Sequence, residues 1–154
     1  MTFSAKTEYG VRLMVALGRD AHGGPTSLKA IAEAEGLPLS YLEHVVASLK
    51  RAGLVTSSRG AHGGYRLARP ADDIAMDEVV LALEGAIAPM ECFVHVPTER
   101  VACSHKGERS AACSTRLLWM RVQSGVVRAL QGTTLAELVE FEARPEQPRA
   151  EAVA

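Results

Sequence analysis

The stretch LSYLEHVVASLKRAGLVTSSRGAHGGYRLAR, residues 39–69, decides the fold of this 154-residue chain. In its first half, apolar residues recur at the spacing of one helical face, which predicts an amphipathic helix. These residues are Leu42, Val45, Val46 and Leu49. In its second half, two short extended runs, 54–57 and 65–68, flank a glycine-rich turn over 59–64. This pattern predicts a β-hairpin with a long tip.

Helical patterns flank this stretch on both sides. We expect a first helix from Ser4 to about Ala21, a second after Thr26-Ser27, and a fourth from about Met76 to Glu84, closed by Gly85. Further along, a long helix is expected from Ser114 to about Gln131. A short last helix, Leu135 to Val139, follows a capping box of Thr134 and Glu137. The fold class is therefore mainly α with a small β-hairpin.

The long helix over 114–131 has an apolar stripe formed by Leu118, Val122, Val126, Ala129 and Leu130. That stripe could pack within its own subunit or pair with a second copy of the chain, and we predict pairing. The expected organisation has four parts. They are a DNA-binding domain over 1–85, a cysteine-bearing loop over 86–113, the dimerisation helix with the short terminal helix over 114–142, and a disordered tail over 143–154.

Two short helices, a tight turn at Gly36-Leu37-Pro38, a cationic third helix and a hairpin together predict a winged helix-turn-helix. Such a module places its third helix in the major groove of double-stranded DNA and its wing on the backbone or in the minor groove. The N-terminal end of the third helix is expected to meet base edges. The residues at that end are Ser40, Tyr41, Glu43 and His44.

The remaining candidate DNA contacts are basic or flexible. Lys50 and Arg51 lie further along the third helix, where phosphate contact is expected. Arg59 at the wing tip suits the narrow, negative minor groove of A·T-rich DNA, and Gly60 lets the backbone approach the sugar-phosphate wall.

Each of these assignments has a structural alternative. Ser40 with Glu43 also matches a capping box, so both could serve only to start the third helix. Lys50 and Arg51 could form a solvated face. The module as a whole could bind protein instead of DNA.

Composition narrows the class of protein. Residues 1–70 have nine Lys or Arg against five Asp or Glu, a charge of +4, whereas residues 71–154 have eight against thirteen, a charge of −5. A basic N-terminal half suits a polyanion. The chain has neither an apolar run long enough to span a bilayer nor an N-terminal secretory signal, so we expect a cytoplasmic protein without a membrane partner. It lacks a Ser-His-Asp or paired-carboxylate pattern, and we do not expect an enzyme.

The three cysteines fall within one 22-residue stretch, Cys92 to Cys113, with Cys103 between them. Thiolates favour iron–sulfur clusters, zinc or copper(I), and cytoplasmic thiols stay reduced. Structural zinc sites usually contain closely spaced cysteine pairs, which are absent here. Direct oxidation of the thiols is the alternative to a cluster. His95 and His105 lie in the same loop as candidate further ligands.

The chain resembles the bacterial winged-helix regulators typified by IscR, NsrR and RirA. The resemblance covers about residues 1–140 and rests on four motifs. They are Ser4-x-x-Thr7-Glu8-Tyr9-Gly10, Leu39-Ser40-x-Leu42-Glu43, the wing Arg59-Gly60-x-x-Gly63-Gly64-Tyr65-x-Leu67-Ala68-Arg69, and Ala82-Leu83-Glu84-Gly85. It implies a homodimeric repressor or activator that binds a partly palindromic operator. In this reading Ser40, Tyr41 and Glu43 lie in the major groove and Arg59 in the minor groove.

The resemblance also implies an iron–sulfur cluster on Cys92, Cys103 and Cys113. The spacing C-x10-C-x9-C is wider than in IscR and NsrR, so the cluster type stays open between [2Fe–2S] and [4Fe–4S]. Glu8 matches the position at which NsrR-like members place an acidic ligand from the partner subunit, and His105 is the alternative fourth ligand. The expected function is control of operator affinity by the cluster, with a metal-free cysteine-redox regulator as the alternative.

Overall fold

A computed structural model of the protein describes residues 3–20, 23–88 and 114–144. It confirms a mainly helical fold with one two-stranded antiparallel hairpin. The elements are α1 (Ala5–Arg19), α2 (Leu28–Glu35), α3 (Leu39–Arg51), β1 (Val55–Ser58), β2 (Gly64–Leu67), a 3-10 turn (Ala71–Asp73), α4 (Met76–Glu84), α5 (Ser114–Gln131) and α6 (Leu135–Ala143). Within the described ranges, none of the helices combines the length and apolarity that crossing a bilayer requires.

Helix α1 lies at the centre of the core and packs against α3, α4 and α6. Its buried apolar side chains are Leu13, Met14, Ala16 and Leu17. Because this face meets helices from both ends of the chain, the N-terminal and C-terminal elements share one hydrophobic core.

The turn between α2 and α3 is set by a glycine and a proline. Gly36 ends α2 with a left-handed φ of 63°, which favours glycine. Pro38 is the N-cap of α3, so the helix begins at Leu39. The predicted capping box of Ser40 and Glu43 is therefore wrong: no side chain caps α3, and Ser40 already lies inside its first turn.

The wing is held to the start of α2 by a short backbone bridge. Thr26 and Tyr65 exchange N–H···O hydrogen bonds of 2.8 Å in both directions. Gly64 permits this approach, because a Cβ there would lie 2.5 Å from the Thr26 carbonyl oxygen. The hairpin pairs Val55 with Leu67 and Ser58 with Gly64, which fixes the wing relative to the core.

The C-terminal helix α6 completes the fold. Thr134 caps it by accepting a hydrogen bond from the Glu137 N–H at 3.3 Å, which confirms one half of the predicted capping box. Helix α6 continues to Ala143, four residues beyond the expected end at Val139. Leu135 is fully buried, and its N–H donates to the Ile74 carbonyl at 2.9 Å. The predicted disordered tail lies almost entirely outside the described residues.

An ion-pair network around Glu35, at the end of α2, joins three helices. The Glu35 carboxylate forms an ion pair with Arg12 at 3.1 Å and a second, shorter one with Arg19, both on α1. Arg19 also pairs with Glu142 of α6 at 2.9 Å. Burial of Glu35 disfavours its charged form, but hydrogen bonds from Arg19 and Arg12 outweigh that cost and lower the pKa of the carboxyl below its ordinary value of 4.5.

This network predicts a pH dependence of stability. A carboxyl whose pKa is lower in the folded chain contributes stability above its ordinary value near 4.5, and that stability is lost as the pH falls through the folded value. We expect Glu35→Gln to lower the free energy of unfolding at pH 7 by about 1 kcal/mol. Thermal melts between pH 7 and pH 3 should fall less steeply with acid for this variant than for the wild type.

Glu33 is the matched control on the same helix, since its side chain is 69% exposed and only approaches Lys29 at 3.9 Å. Glu33→Gln should stay within about 0.5 kcal/mol of the wild type and keep its acid dependence. An unchanged acid dependence in Glu35→Gln would contradict the assignment.

Candidate nucleic-acid interface

Helix α3 divides cleanly into a buried and an exposed face. Its apolar stripe, Leu42, Val45, Val46 and Leu49, is buried against the core, as predicted. The polar residues predicted to meet base edges all lie on the exposed side, namely Ser40, Tyr41, Glu43 and His44. The solvent-exposed face of α3 is therefore the face that we predicted from the sequence to contact DNA.

The basic end of α3 adjoins the wing. Lys50 donates from Nζ to the Ser57 hydroxyl of β1 at 2.6 Å, so helix and hairpin are directly joined. Arg51 is exposed beside it, and Arg59 and Gly60 are exposed in the turn between the strands. Gly60 has a φ of 115°, which favours glycine at the wing tip. The structure thus brings all the predicted contact residues of α3 and the wing onto one module.

Two contacts at or beside this surface were not predicted from the sequence. Arg66 is exposed on β2, and its Nε donates to the Thr56 hydroxyl at 3.4 Å. Its outward position follows the period-two alternation of the strand, a signal that could have identified it. Tyr9 of α1 meets Tyr41 of α3 edge to face, with ring centroids 5.2 Å apart. No local pattern links these two tyrosines.

A polar contact joins the start of α1 to the end of α4. The Glu84 carboxylate oxygen Oε1 accepts hydrogen bonds from the Ser4 N–H at 2.8 Å, the Ser4 hydroxyl at 2.7 Å and the Thr7 hydroxyl at 2.5 Å. Lys6 donates to the Leu83 carbonyl at 3.0 Å. We call these residues, Ser4, Lys6, Thr7, Leu83 and Glu84, the α1–α4 junction. Ser4 is the predicted N-cap of α1, but its hydroxyl is turned to Glu84 instead of capping the helix.

Burial and hydrogen bonding act in opposite directions on Glu84. Burial raises the pKa of this carboxyl, but the hydrogen bonds from Thr7 and Ser4 outweigh it, and the pKa lies below its ordinary value. The charged form is thus the one that the junction holds. A close apolar contact reinforces it, because a Cβ on Gly10 would lie 2.2 Å from the Leu83 Cδ1 atom.

Helix α5 is the least buried helix of the described chain. It contacts α4, and the Gln123 side chain donates to the Ile87 carbonyl at 2.7 Å. Among the described side chains of α5, none is fully buried. The most exposed apolar side chains are Leu117 at 57%, Leu118 at 55% and Met120 at 49%. Of the predicted stripe, only Leu130 packs against the core.

The predicted metal ligands are only partly visible. Cys92, Cys103 and Cys113, together with His95 and His105, lie outside the described residues. Glu8 is described and is exposed on the first turn of α1. Among residues 3–20, 23–88 and 114–144, no three His, Cys, Asp or Glu side chains are grouped closely enough to hold a metal ion.

Comparison with known proteins identifies the chain at the level of the family. Residues 3–141 match the family model of Rrf2, described as an iron-dependent transcriptional regulator. The chain is 38% identical to the HTH-type transcriptional regulator CymR of Bacillus subtilis over 141 residues, which cover 92% of this chain and 91% of that protein. The solved structure of that CymR, described as the global cysteine regulator, superposes with a TM-score of 0.74 and covers 92% of this chain and 98% of its own.

Two further solved structures are similar. IscR of T. potens has a TM-score of 0.73 at 35% identity and covers 96% of this chain and 94% of its own. The oxidized form of CymR from Staphylococcus aureus has a TM-score of 0.68 at 35% identity, with coverages of 91% and 97%. The family and these relatives are transcriptional regulators and not enzymes. The chain therefore belongs to the Rrf2 family of transcriptional regulators.

Proposed function

We propose that this Rrf2-family regulator acts in the cytoplasm as a homodimer whose affinity for a partly palindromic operator is controlled by an iron–sulfur cluster. The observation that carries the DNA-binding part is the exposed polar face of α3, which is joined to the wing through Lys50 and Ser57. Helix and wing are both anchored to one core, so they meet DNA as a unit.

The two parts of this surface have separate roles. Ser40, Tyr41 and Glu43 at the start of α3 contact base edges in the major groove, where each base pair has its own donor and acceptor pattern. His44 lies beside them, and Lys50 and Arg51 contact phosphates. Arg59 with Gly60 enters the minor groove from the wing. The backbone bridge between Thr26 and Tyr65 keeps the two groove contacts at a constant separation.

Dimerisation is assigned to α5. Exposed Leu117, Leu118 and Met120 form an apolar surface that the rest of the described protomer leaves uncovered. A second copy related by two-fold symmetry would cover that surface and place two α3 helices on successive major-groove segments of one face of the duplex.

The cluster is assigned to Cys92, Cys103 and Cys113. Three soft thiolates in one segment suit an iron–sulfur cluster, and a carboxylate completes a set of four donors. Glu8 fits that role, because its exposed carboxylate makes no hydrogen bond or ion pair with any described residue and so is available to a partner subunit. His105 is the alternative fourth ligand. When bound, the cluster supplies a redox-active centre sensitive to iron supply, oxidants and nitric oxide.

The cysteine segment is adjacent in sequence to elements of the proposed DNA-binding dimer. The last described residue before the cysteine segment is Ala88, four residues after Glu84 of the α1–α4 junction. Helix α5 begins directly after Cys113. In the proposed mechanism, a change in the segment acts first on its two sequence neighbours, the end of α4 and the start of α5. If the cluster changes the affinity of the dimer for its operator by a given factor, operator binding changes the affinity for the cluster by the same factor.

The test is anaerobic purification followed by iron and sulfide analysis. We expect brown protein with iron and acid-labile sulfide at least equimolar to the chain. Cys103→Ala should give a folded, colourless protein. The selected operator is the duplex that the wild type enriches from a randomised library. The affinity of Cys103→Ala for this operator should match that of cluster-free wild type. A Cys103→Ala variant with the wild-type visible spectrum would remove Cys103 from the ligand set.

A metal-free thiol switch is the second candidate, favoured by the similarity to CymR of S. aureus, whose structure was solved in an oxidized form. In that mechanism two cysteine thiols lose two electrons and two protons to a peroxide, which is reduced to water, and form a disulfide. Metal-free wild type whose operator affinity changes with peroxide and recovers with a dithiol would favour this candidate over the cluster.

A further inference from the structure

The α1–α4 junction and the tyrosine pair both involve the beginning of α1, from its N-cap Ser4 to Tyr9. Ser4 and Thr7 bind Glu84, and two residues later Tyr9 meets Tyr41 at the base-reading end of α3. A single carboxylate thus holds the part of α1 against which the start of α3 rests.

We propose that Glu84 is a positioning residue for operator recognition: by anchoring the first turn of α1 it fixes Tyr9, and Tyr9 in turn fixes Tyr41 on the reading end of α3. The side-chain hydrogen bonds of Glu84 all come from Ser4 and Thr7, at the start of α1. The proposal rests on the reading role assigned to α3 under the proposed function.

The position of Glu84 in its own helix supports a role outside α4. Glu84 is the last residue of α4, where the helix dipole disfavours an anion. Taken alone, α4 would gain stability from the loss of this charge. The stabilising effect of the carboxylate therefore comes from its three donors at the start of α1.

The tyrosine contact is suited to transmit position. The two rings meet nearly perpendicular, at 79°, with centroids 5.2 Å apart, which is a favourable geometry for an aromatic pair. Tyr41 is still 37% exposed, so its ring touches Tyr9 on one side and is accessible from the other. Movement of Tyr9 would let Tyr41 change rotamer at the surface that meets the bases.

The experiment measures dissociation constants for the selected operator and for random duplex DNA at one salt concentration, well below the melting temperature. We expect Glu84→Ala to weaken operator binding about 5- to 10-fold with little change on random DNA, which corresponds to about 1 kcal/mol lost from recognition alone. Glu84→Gln, whose amide oxygen still accepts hydrogen bonds, should lie between Glu84→Ala and the wild type.

Tyr9 provides the second arm. Tyr9→Ala should reduce operator specificity by a similar factor, and Tyr9→Phe, which keeps the ring contact, should behave as the wild type. The Glu84→Ala, Tyr9→Ala double variant should lose no more than the larger single loss, because both act through one contact. Fully additive losses would contradict the proposal.

Glu78 is the matched control, a half-buried carboxylate at the other end of α4 that pairs with Arg69 at 2.6 Å. Glu78→Ala should lower the melting temperature but leave the ratio of operator to random affinity unchanged. If Glu78→Ala and Glu84→Ala lower the ratio of operator affinity to random-DNA affinity equally, Glu84 contributes only to general stability and the inference is overturned.

Tyr41→Ala separates this inference from the proposed function. If Tyr41→Ala weakens operator binding and Glu84→Ala does not, the inference alone fails. If Tyr41→Ala leaves operator binding unchanged, the base-contacting role of Tyr41 in the proposed function is wrong, and the inference fails with it.

Discussion

Replacement of Leu118 by glutamate is expected to convert the protein from a dimer into a folded monomer with almost no affinity for its operator. Leu118 is 55% exposed on α5, so a charge there is solvated in the isolated protomer. In a dimer interface the same charge would be buried without a partner, which costs free energy of association. Loss of simultaneous contact with two half-sites should weaken operator binding by about 100- to 10,000-fold.

Sedimentation velocity and operator titration measure this effect directly, and far-UV circular dichroism checks that the helices remain. Phe141→Glu is the matched control, because Phe141 is 70% exposed on α6 and distant in sequence from the proposed interface. It should stay dimeric and bind as the wild type. A Leu118→Glu protein that is still dimeric and binds its operator normally would remove α5 from the interface.

Gly125 offers a second variant at the same surface. A Cβ at this position meets no described atom within 4 Å, and replacing a mid-helix glycine should stabilise α5 by about 0.5–1 kcal/mol. Gly125→Arg should therefore be harmless in a monomer and disruptive only if a second α5 packs there.

Arg59→Ala is expected to weaken operator binding roughly 10- to 100-fold, with a much smaller loss on random DNA. The side chain is exposed at the wing tip, and the wing is held to α2 by the two hydrogen bonds between Thr26 and Tyr65. In the proposed complex, the Arg59 guanidinium therefore enters the minor groove from a hairpin that is fixed to the core. Arginine in a narrow minor groove reads the sequence-dependent groove width, which random duplexes offer only by chance.

Arg51 is the control for charge alone, since it is exposed at the end of α3 among the predicted phosphate contacts. Arg51→Ala should weaken binding to both duplexes by a similar factor and reduce the salt dependence of binding by about one ion. If Arg59→Ala shows equal losses on operator and random DNA, the minor-groove role of Arg59 is wrong.

Elements with a strong apolar period could be predicted from the sequence. The bounds of α4 and α5 match the expected ones, Met76 to Glu84 and Ser114 to Gln131, because both helices end at clear signals and place regular apolar positions on one side. The start of α3 could not be found in this way. Pro38 adopts the extended conformation of an N-cap, so the helix begins before the serine that local propensity favours.

Contacts between distant parts of the chain left no local signal. Glu84 is 80 residues from Ser4, and Tyr41 is 32 residues from Tyr9, so no sequence period links either pair. The end of α6 was missed for the same reason, because its last turn includes Glu142, whose partner Arg19 lies on α1. The resemblance in sequence did mark the motifs around Ser4 and Glu84, but only the fold places them in contact.

The packing of α6 on α1 determines when during synthesis the DNA-binding module becomes complete. Gly18 lies so close to Val139 that a Cβ would approach its Cγ2 atom to 2.7 Å, and Leu135 is fully buried in the common core. Helix α1 leaves the ribosome well before α6, so the core around α1 is complete only after α6 has been made. A chain interrupted after the wing would already contain every predicted base contact, yet it would leave the α6 side of α1 exposed to water. Incomplete chains should thus be cleared by proteases before they can compete for operators.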